Sequence, residues 1–203
     1  MNKIAIAFSA LAFVTLSAPS QASSPTPAQA RCNLTEATAP SIRGLRLGMN
    51  TQQLLALFPG IAKKKEMKDA VERAKSATSA EVAYLVFDPA TDGDAQQFAG
   101  VGSVSAGLYK ARVVDLSVLY DGATSTVDAW IGRLSEVFKL PSAPNWRQGP
   151  SEAPNKVLRC AGIVIEAAIQ GGSASVRLTS SEYLKEIDER KKAEEKKRQE
   201  IKP

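Results

Sequence analysis

The sequence predicts an α+β domain, helices packed on an antiparallel sheet, with a charged helix at its C-terminal end. Three observations predict it. Runs such as Val113–Tyr120 and Ile163–Ile169 alternate apolar and polar residues or large and small ones, the period of a half-buried strand. Val127, Trp130, Ile131, Leu134, Val137 and Phe138 recur at helical spacing and form one apolar stripe. Gly171-Gly172, set between two strand-like runs, suits a tight hairpin.

The N-terminal stretch Met1–Ala22 combines Lys3, an apolar run from Ile4 to Leu16 and Ser20-Gln21-Ala22, the pattern of a secretory signal peptide cleaved after Ala22. Its apolar run is too short to span a bilayer. Ser23–Arg31 is rich in Ser, Pro, Thr and Ala and reads as a flexible leader. Residues 32–180 then form a single domain and 181–203 a charged tail. Loss of the signal removes Lys3 and leaves 25 basic against 21 acidic side chains, a net +4. That mild excess sits largely in mixed-sign helices, so it demands neither a specific nucleic acid nor an anionic membrane as partner.

The two cysteines, Cys32 and Cys160, most simply pair in an exported protein. The chain opens with Gly44–Leu47 as a short strand, then Gly48 turns it into a helix capped by Asn50 or Thr51, with Gln53 placed for a capping box. Leu54, Leu55 and Phe58 give that helix its buried face before Pro59 stops it. A second, weakly amphipathic helix is expected over 62–77. Its cations Lys63, Lys64 and Lys65 are either a solvated face or a docking surface for an acidic partner.

Glu81–Phe87 reads as a strand partly covered on both sides, and Asp88–Asp94 as a loop whose aspartates follow turn chemistry, not the order of a calcium-binding loop. Extended runs over 98–104 and 108–120 follow, the second ending at Asp121-Gly122. Ser125 is the expected cap of the next helix, which Leu140-Pro141 ends. Strand, glycine turn, capped helix and proline thus occur twice, which suggests a duplicated helix-plus-sheet unit. Trp146 lies in the Pro-rich segment 142–154, as a lid on the core edge or a contact for a partner. Strands are expected at 156–161, 163–169 and 174–178, with Ile163, Ile165, Ala167 and Ile169 toward the core. From Ser180 or Ser181 the tail becomes a helix anchored by Tyr183, Leu184 and Ile187, and then projects into solvent with pairs such as Glu186–Arg190 and Glu194–Arg198.

The run Leu47-Gly48-Met49-Asn50-Thr51, with Gln53-Leu54 and Phe58-Pro59-Gly60, resembles the opening of the SmpA/OmlA family, small outer-membrane lipoproteins of the bacterial barrel-assembly machinery. The beta-lactamase-inhibitor-like fold has a similar opening. The resemblance covers about seventeen residues and implies a helix pair on an antiparallel sheet, used to bind other proteins. Asn50 intrudes before the threonine of the family pattern, and Gln29-Ala30-Arg31 before Cys32 is not a lipoprotein processing site.

There is no histidine to act as a base near neutral pH, and no nucleophile elbow, phosphate loop or zinc spacing. No sequence pattern marks a pair of catalytic carboxylates, and no cofactor or metal site is expected. The expectation is a periplasmic or secreted protein that binds another envelope protein without catalysis. The alternatives are a carboxylate-dependent hydrolase of cell-wall or extracellular polymers and a polyanion-surface binder using Lys63–Lys65 and the tail.

Overall fold

The computed structural model describes residues 32–75, 82–122 and 126–200. The segments read as signal peptide and leader lie outside them, as does Ser125. The chain builds α1 (Thr51–Leu57), a 3₁₀ turn (Pro59–Lys63), α2 (Lys65–Lys75), β1 (Ala83–Phe87), α3 (Pro89–Asp92), β2 (Val101–Tyr109) and β3 (Arg112–Tyr120). It continues with α4 (Val127–Phe138), β4 (Arg147–Gln148), β5 (Asn155–Arg159), β6 (Ile163–Gln170), β7 (Ser173–Ser180) and α5 (Ser181–Glu200). The described strands form one antiparallel sheet in the order β1-β2-β3-β7-β6-β5-β4.

That order folds back on itself about the β3–β7 pair. Each half is a helical segment followed by an antiparallel meander, β1 to β3 in the first and β4 to β7 in the second. The repeated theme is therefore helix then meander, not the strand-to-helix order expected from sequence. The expected opening strand is absent because Arg43 and Gly44 take positive φ (54° and 89°), so Ile42 and Leu45 form only a tight bridge. Asn50 and Gln53 do form the reciprocal capping box, each side chain accepting from the other's backbone N–H.

One face of the sheet carries the core. Leu85, Phe87, Val104, Ala106, Leu116, Val118, Val176, Leu178, Ile165 and Ala167 point to it and are buried. Over the first half lie Leu54, Phe58, Ile61, Ala70, Val71 and Ala74 from the helical segments, with Phe58 stacked on Phe87 and Phe98 at 4.2 and 4.9 Å between ring centres. Over the second half lies α4, which buries Trp130, Ile131 and Leu134 and donates the Trp130 indole N–H to the Ser175 carbonyl at 2.8 Å. Thr126 caps α4 by accepting from the Ala129 N–H.

The run 108–120 is not one strand. It is the end of β2, a two-residue turn and β3, and both turn residues, Lys110 and Ala111, have positive φ (49° and 60°). This is the primed geometry that matches strand twist, adopted here without the Gly or Asn that announces it. Gly171 and Gly172 make the corresponding turn between β6 and β7 with the expected residues. Asp88–Asp94 is not wholly loop: Asp88 caps the single turn of α3, and Asp92 accepts the Asp88 N–H at 3.0 Å.

Candidate functional site

Among the described residues, no helical layer covers the centre of the sheet's second face, and its residues are set by strand alternation and register. One row crosses five strands as Val86, Ser105, Ser117, Arg177 and Glu166. The next is Tyr84, Gly107, Asp115, Thr179 and Val164. At about 4.8 Å per strand, Val86 and Arg177 stand about 14 Å apart with only serines between them. Tyr84 and Val86 are 50% and 63% exposed. Partial cover on both sides of β1 is expected from its apolar run; Leu85 and Phe87 are fully buried on one side, while on the other Tyr84 is half-covered and Val86 stands more open.

Gly107 makes this corner possible. A Cβ there would lie 2.9 Å from Val82, 3.0 Å from the Asp115 Cβ and 3.1 Å from the Tyr84 ring, so only glycine lets Tyr84 settle across the ladder toward Asp115. Asp115 is 2% exposed, and a carboxylate so deep needs donors. It receives the Arg177 Nε–H, 2.8 Å from one oxygen and 3.1 Å from the other, and the Thr179 hydroxyl at 2.9 Å. The Arg177 side chain stays 45% exposed, so its guanidinium is fixed from below by Asp115 while half of it faces outward. On its far side Glu166 accepts from the Asn155 amide.

The charges shift the neighbouring groups in a consistent pattern. Burial works against the Arg177 charge, but the attraction and hydrogen bond of Asp115 outweigh it and hold the guanidinium above its ordinary value. Burial pushes the Tyr84 phenol up, and the Asp115 charge adds to this while Arg177 opposes it. Tyr183, from the first turn of α5, is raised by burial and then by Tyr84 and Asp115. The site is thus two phenols and one guanidinium held over a buried carboxylate. With its oxygens taken up by Arg177 and Thr179, Asp115 acts as the orienting group and Arg177 as the group presented outward.

Tyr183 belongs to a clamp that fixes the tail to the β2–β3 hairpin. The Tyr109 hydroxyl donates to Glu186 at 2.6 Å and accepts from Arg190, while Lys110 and Arg190 pair with Glu186 at 3.1 and 2.6 Å. Ser180 caps α5 through the Tyr183 N–H. Leu184 is 39% exposed, Tyr183 and Ile187 are less so, and from Lys191 to Glu200 every side chain is exposed.

Of the residues singled out in the sequence, Cys32 and Cys160 form a disulfide with Cα atoms 4.5 Å apart. It fastens the N-terminal arm beside β6, where the Ala161 and Gly162 N–H groups donate to the carbonyls of Cys32 and Leu34. In the lysine run, Lys64 pairs with buried Asp92 at 2.7 Å, Lys65 opens α2 at the surface, and the Lys63 side chain lies outside the described ones. Trp146 is not a surface contact. It is 4% exposed and its indole donates to the Pro141 carbonyl at 2.9 Å, so it closes the core. Sequence reasoning passed over Tyr84, Val86 and Arg177. The available signal was a charged residue, Asp115 or Arg177, in the middle of a strongly apolar strand.

No known protein family, curated protein or solved structure matches the chain. Among the described residues there is no cluster of three or more His, Cys, Asp or Glu side chains suited to a metal ion, and no helix long and apolar enough to cross a membrane.

Proposed function

We propose that this chain is an exported, non-catalytic binding module that meets another envelope protein through the sheet face that carries Tyr84, Val86 and Arg177. The observation that carries the reading is the exposed pair Tyr84 and Val86 on β1, sharing one sheet face with a guanidinium fixed by a buried carboxylate. Tyr and Arg dominate the energetics of protein interfaces because each offers a large contact area and directed hydrogen bonds. Fixing Arg177 in advance lowers the ordering cost that binding would otherwise incur. Two of the four large apolar side chains exposed among the described residues stand on this one short edge strand, β1. Export is supported by the charged, apolar, small-residue order of Met1–Ala22 together with the Cys32–Cys160 bridge. The resemblance to SmpA/OmlA lipoproteins points to the same class of role.

Site-directed photo-crosslinking tests this. A benzophenone residue placed at Val86 in the producing cell is expected to yield one discrete adduct, lost when Arg177→Glu is added. The same group at Lys191, on the exposed tail, is expected to give none of that species. An identical adduct from both positions, or no adduct from Val86, would remove the reading.

A further inference from the structure

A second concave surface lies on the helical side, away from Tyr84 and Arg177. Among the described residues the helical layer has two parts, the 51–75 segments over the first half of the sheet and α4 over the second. A groove of about 540 Å³ lies between α4, the bend at Ile42-Arg43 and the end of β3. That volume falls within the range of about 300–1,000 Å³ typical of small-molecule sites.

Its floor is apolar: Ile42, Leu134, Trp130, Phe138 and the Tyr120 ring, which meets Trp130 edge-on at 5.0 Å between centres. Val137 forms part of the wall and is 68% exposed, although it belongs to the apolar stripe of α4. A stripe residue left in water on a concave surface marks area that a ligand can cover. The charged groups on the rim are Arg43 and Arg133 against one carboxylate, Glu136, a net charge of +1. Arg43 is held in place by its bond to the Ala99 carbonyl at 3.1 Å and stands near enough to Tyr120 to oppose the rise that burial causes in that phenol.

We infer that this groove is a binding site for an amphipathic monocarboxylate, with an alkyl or aryl tail laid on Trp130, Leu134 and Phe138 and its carboxylate between Arg43 and Arg133. An apolar floor selects against small inorganic anions, and a cationic rim selects against cationic and neutral amphiphiles of equal length. One anionic group matches the net charge; a polyanion would meet Glu136.

The test titrates the purified protein with sodium dodecanoate below its micelle concentration, reading the amide and indole N–H resonances. Saturable shifts are expected at Arg43, the Trp130 indole and Val137, with Kd in the micromolar range. Dodecyltrimethylammonium and dodecanol are expected to bind at least tenfold more weakly, and acetate not at all. Arg133→Glu and Val137→Asp, both at exposed helix positions, are each expected to weaken dodecanoate at least tenfold while the rest of the spectrum is preserved. Equal binding of the anionic and cationic amphiphiles, shifts centred away from Trp130, or undiminished affinity in both variants would overturn the assignment, as would absence of saturable binding.

Discussion

Removing either member of the Asp115–Arg177 pair should destabilise the protein by clearly different amounts. Arg177→Met leaves Asp115, 2% exposed, with Thr179 as its remaining side-chain donor. Orphaning a fully buried charge costs about 3–5 kcal/mol. Arg177 is 45% exposed, so water can enter where it stood, which brings the expected loss to about 2–3 kcal/mol. Asp115→Asn leaves the charge on the half-exposed member, which water already solvates, and keeps an acceptor for Thr179; the expected loss is about 1–2 kcal/mol. Carrying both changes removes the orphaned carboxylate altogether, so the double variant should be no less stable than Arg177→Met alone. Urea unfolding by circular dichroism, with unchanged m-values, measures all three. An Asp115→Asn loss equal to or larger than that of Arg177→Met, or strictly additive losses, would refute the reasoning that Asp115 is the buried liability and Arg177 its cover.

Other expectations follow from the same structure. Reducing the Cys32–Cys160 bridge reopens a 128-residue loop. That closure is worth about 5 kcal/mol in the chain-entropy account, or about 10–20 °C in Tm for a body of this size, and calorimetry with and without reductant reads it. Tyr84, Tyr120 and Tyr183 lie above their ordinary value of 10.0, each chiefly through burial. A raised tyrosine favours the folded state fully below pH 10 and loses that contribution as pH climbs through the folded values. Absorbance at 295 nm should therefore rise later with pH in the folded protein than in urea, and stability should fall above pH 10. Among the described residues, truncation after Arg190 removes only exposed ones and should change the urea midpoint by less than the equivalent of about 0.5 kcal/mol, whereas Glu186→Ala should loosen α5 in hydrogen exchange.

The parts of the fold legible in the sequence are those where one local pattern decides the outcome. The α4 stripe, the capping box at Asn50 and Gln53, and the Gly171-Gly172 hairpin all rest on contacts within a few residues. The parts that escaped depend on distant partners. Lys110-Ala111 turns because β3 must pair with both β2 and β7, and the turn residues yield to that demand at φ values they would not choose alone. The opening strand gives way to the bend at Arg43 and Gly44, and just beyond it the Gly48 N–H and the Met49 carbonyl bond to Val113, which ties the segment to the start of β3.

The candidate site was hidden for the same reason. Tyr84, Asp115 and Arg177 are separated by 31 and 62 positions in sequence, and only the β1-β2-β3-β7 order makes them neighbours. Asp115 within Val113–Tyr120 and Arg177 between Val176 and Leu178 were visible as charges in apolar strands, but their pairing is a statement about register. Trp146 was legible in the sequence as one of two alternatives, lid or contact, and the 142–146 turn folds its ring into the core, as the lid reading has it.

The most direct test is the affinity of the protein crosslinked from Val86 for the purified chain carrying Tyr84→Ala, a substitution at a half-exposed strand position. The account predicts a loss of about 2 kcal/mol or more, about thirtyfold in Kd. An affinity within twofold of the unsubstituted chain would contradict it.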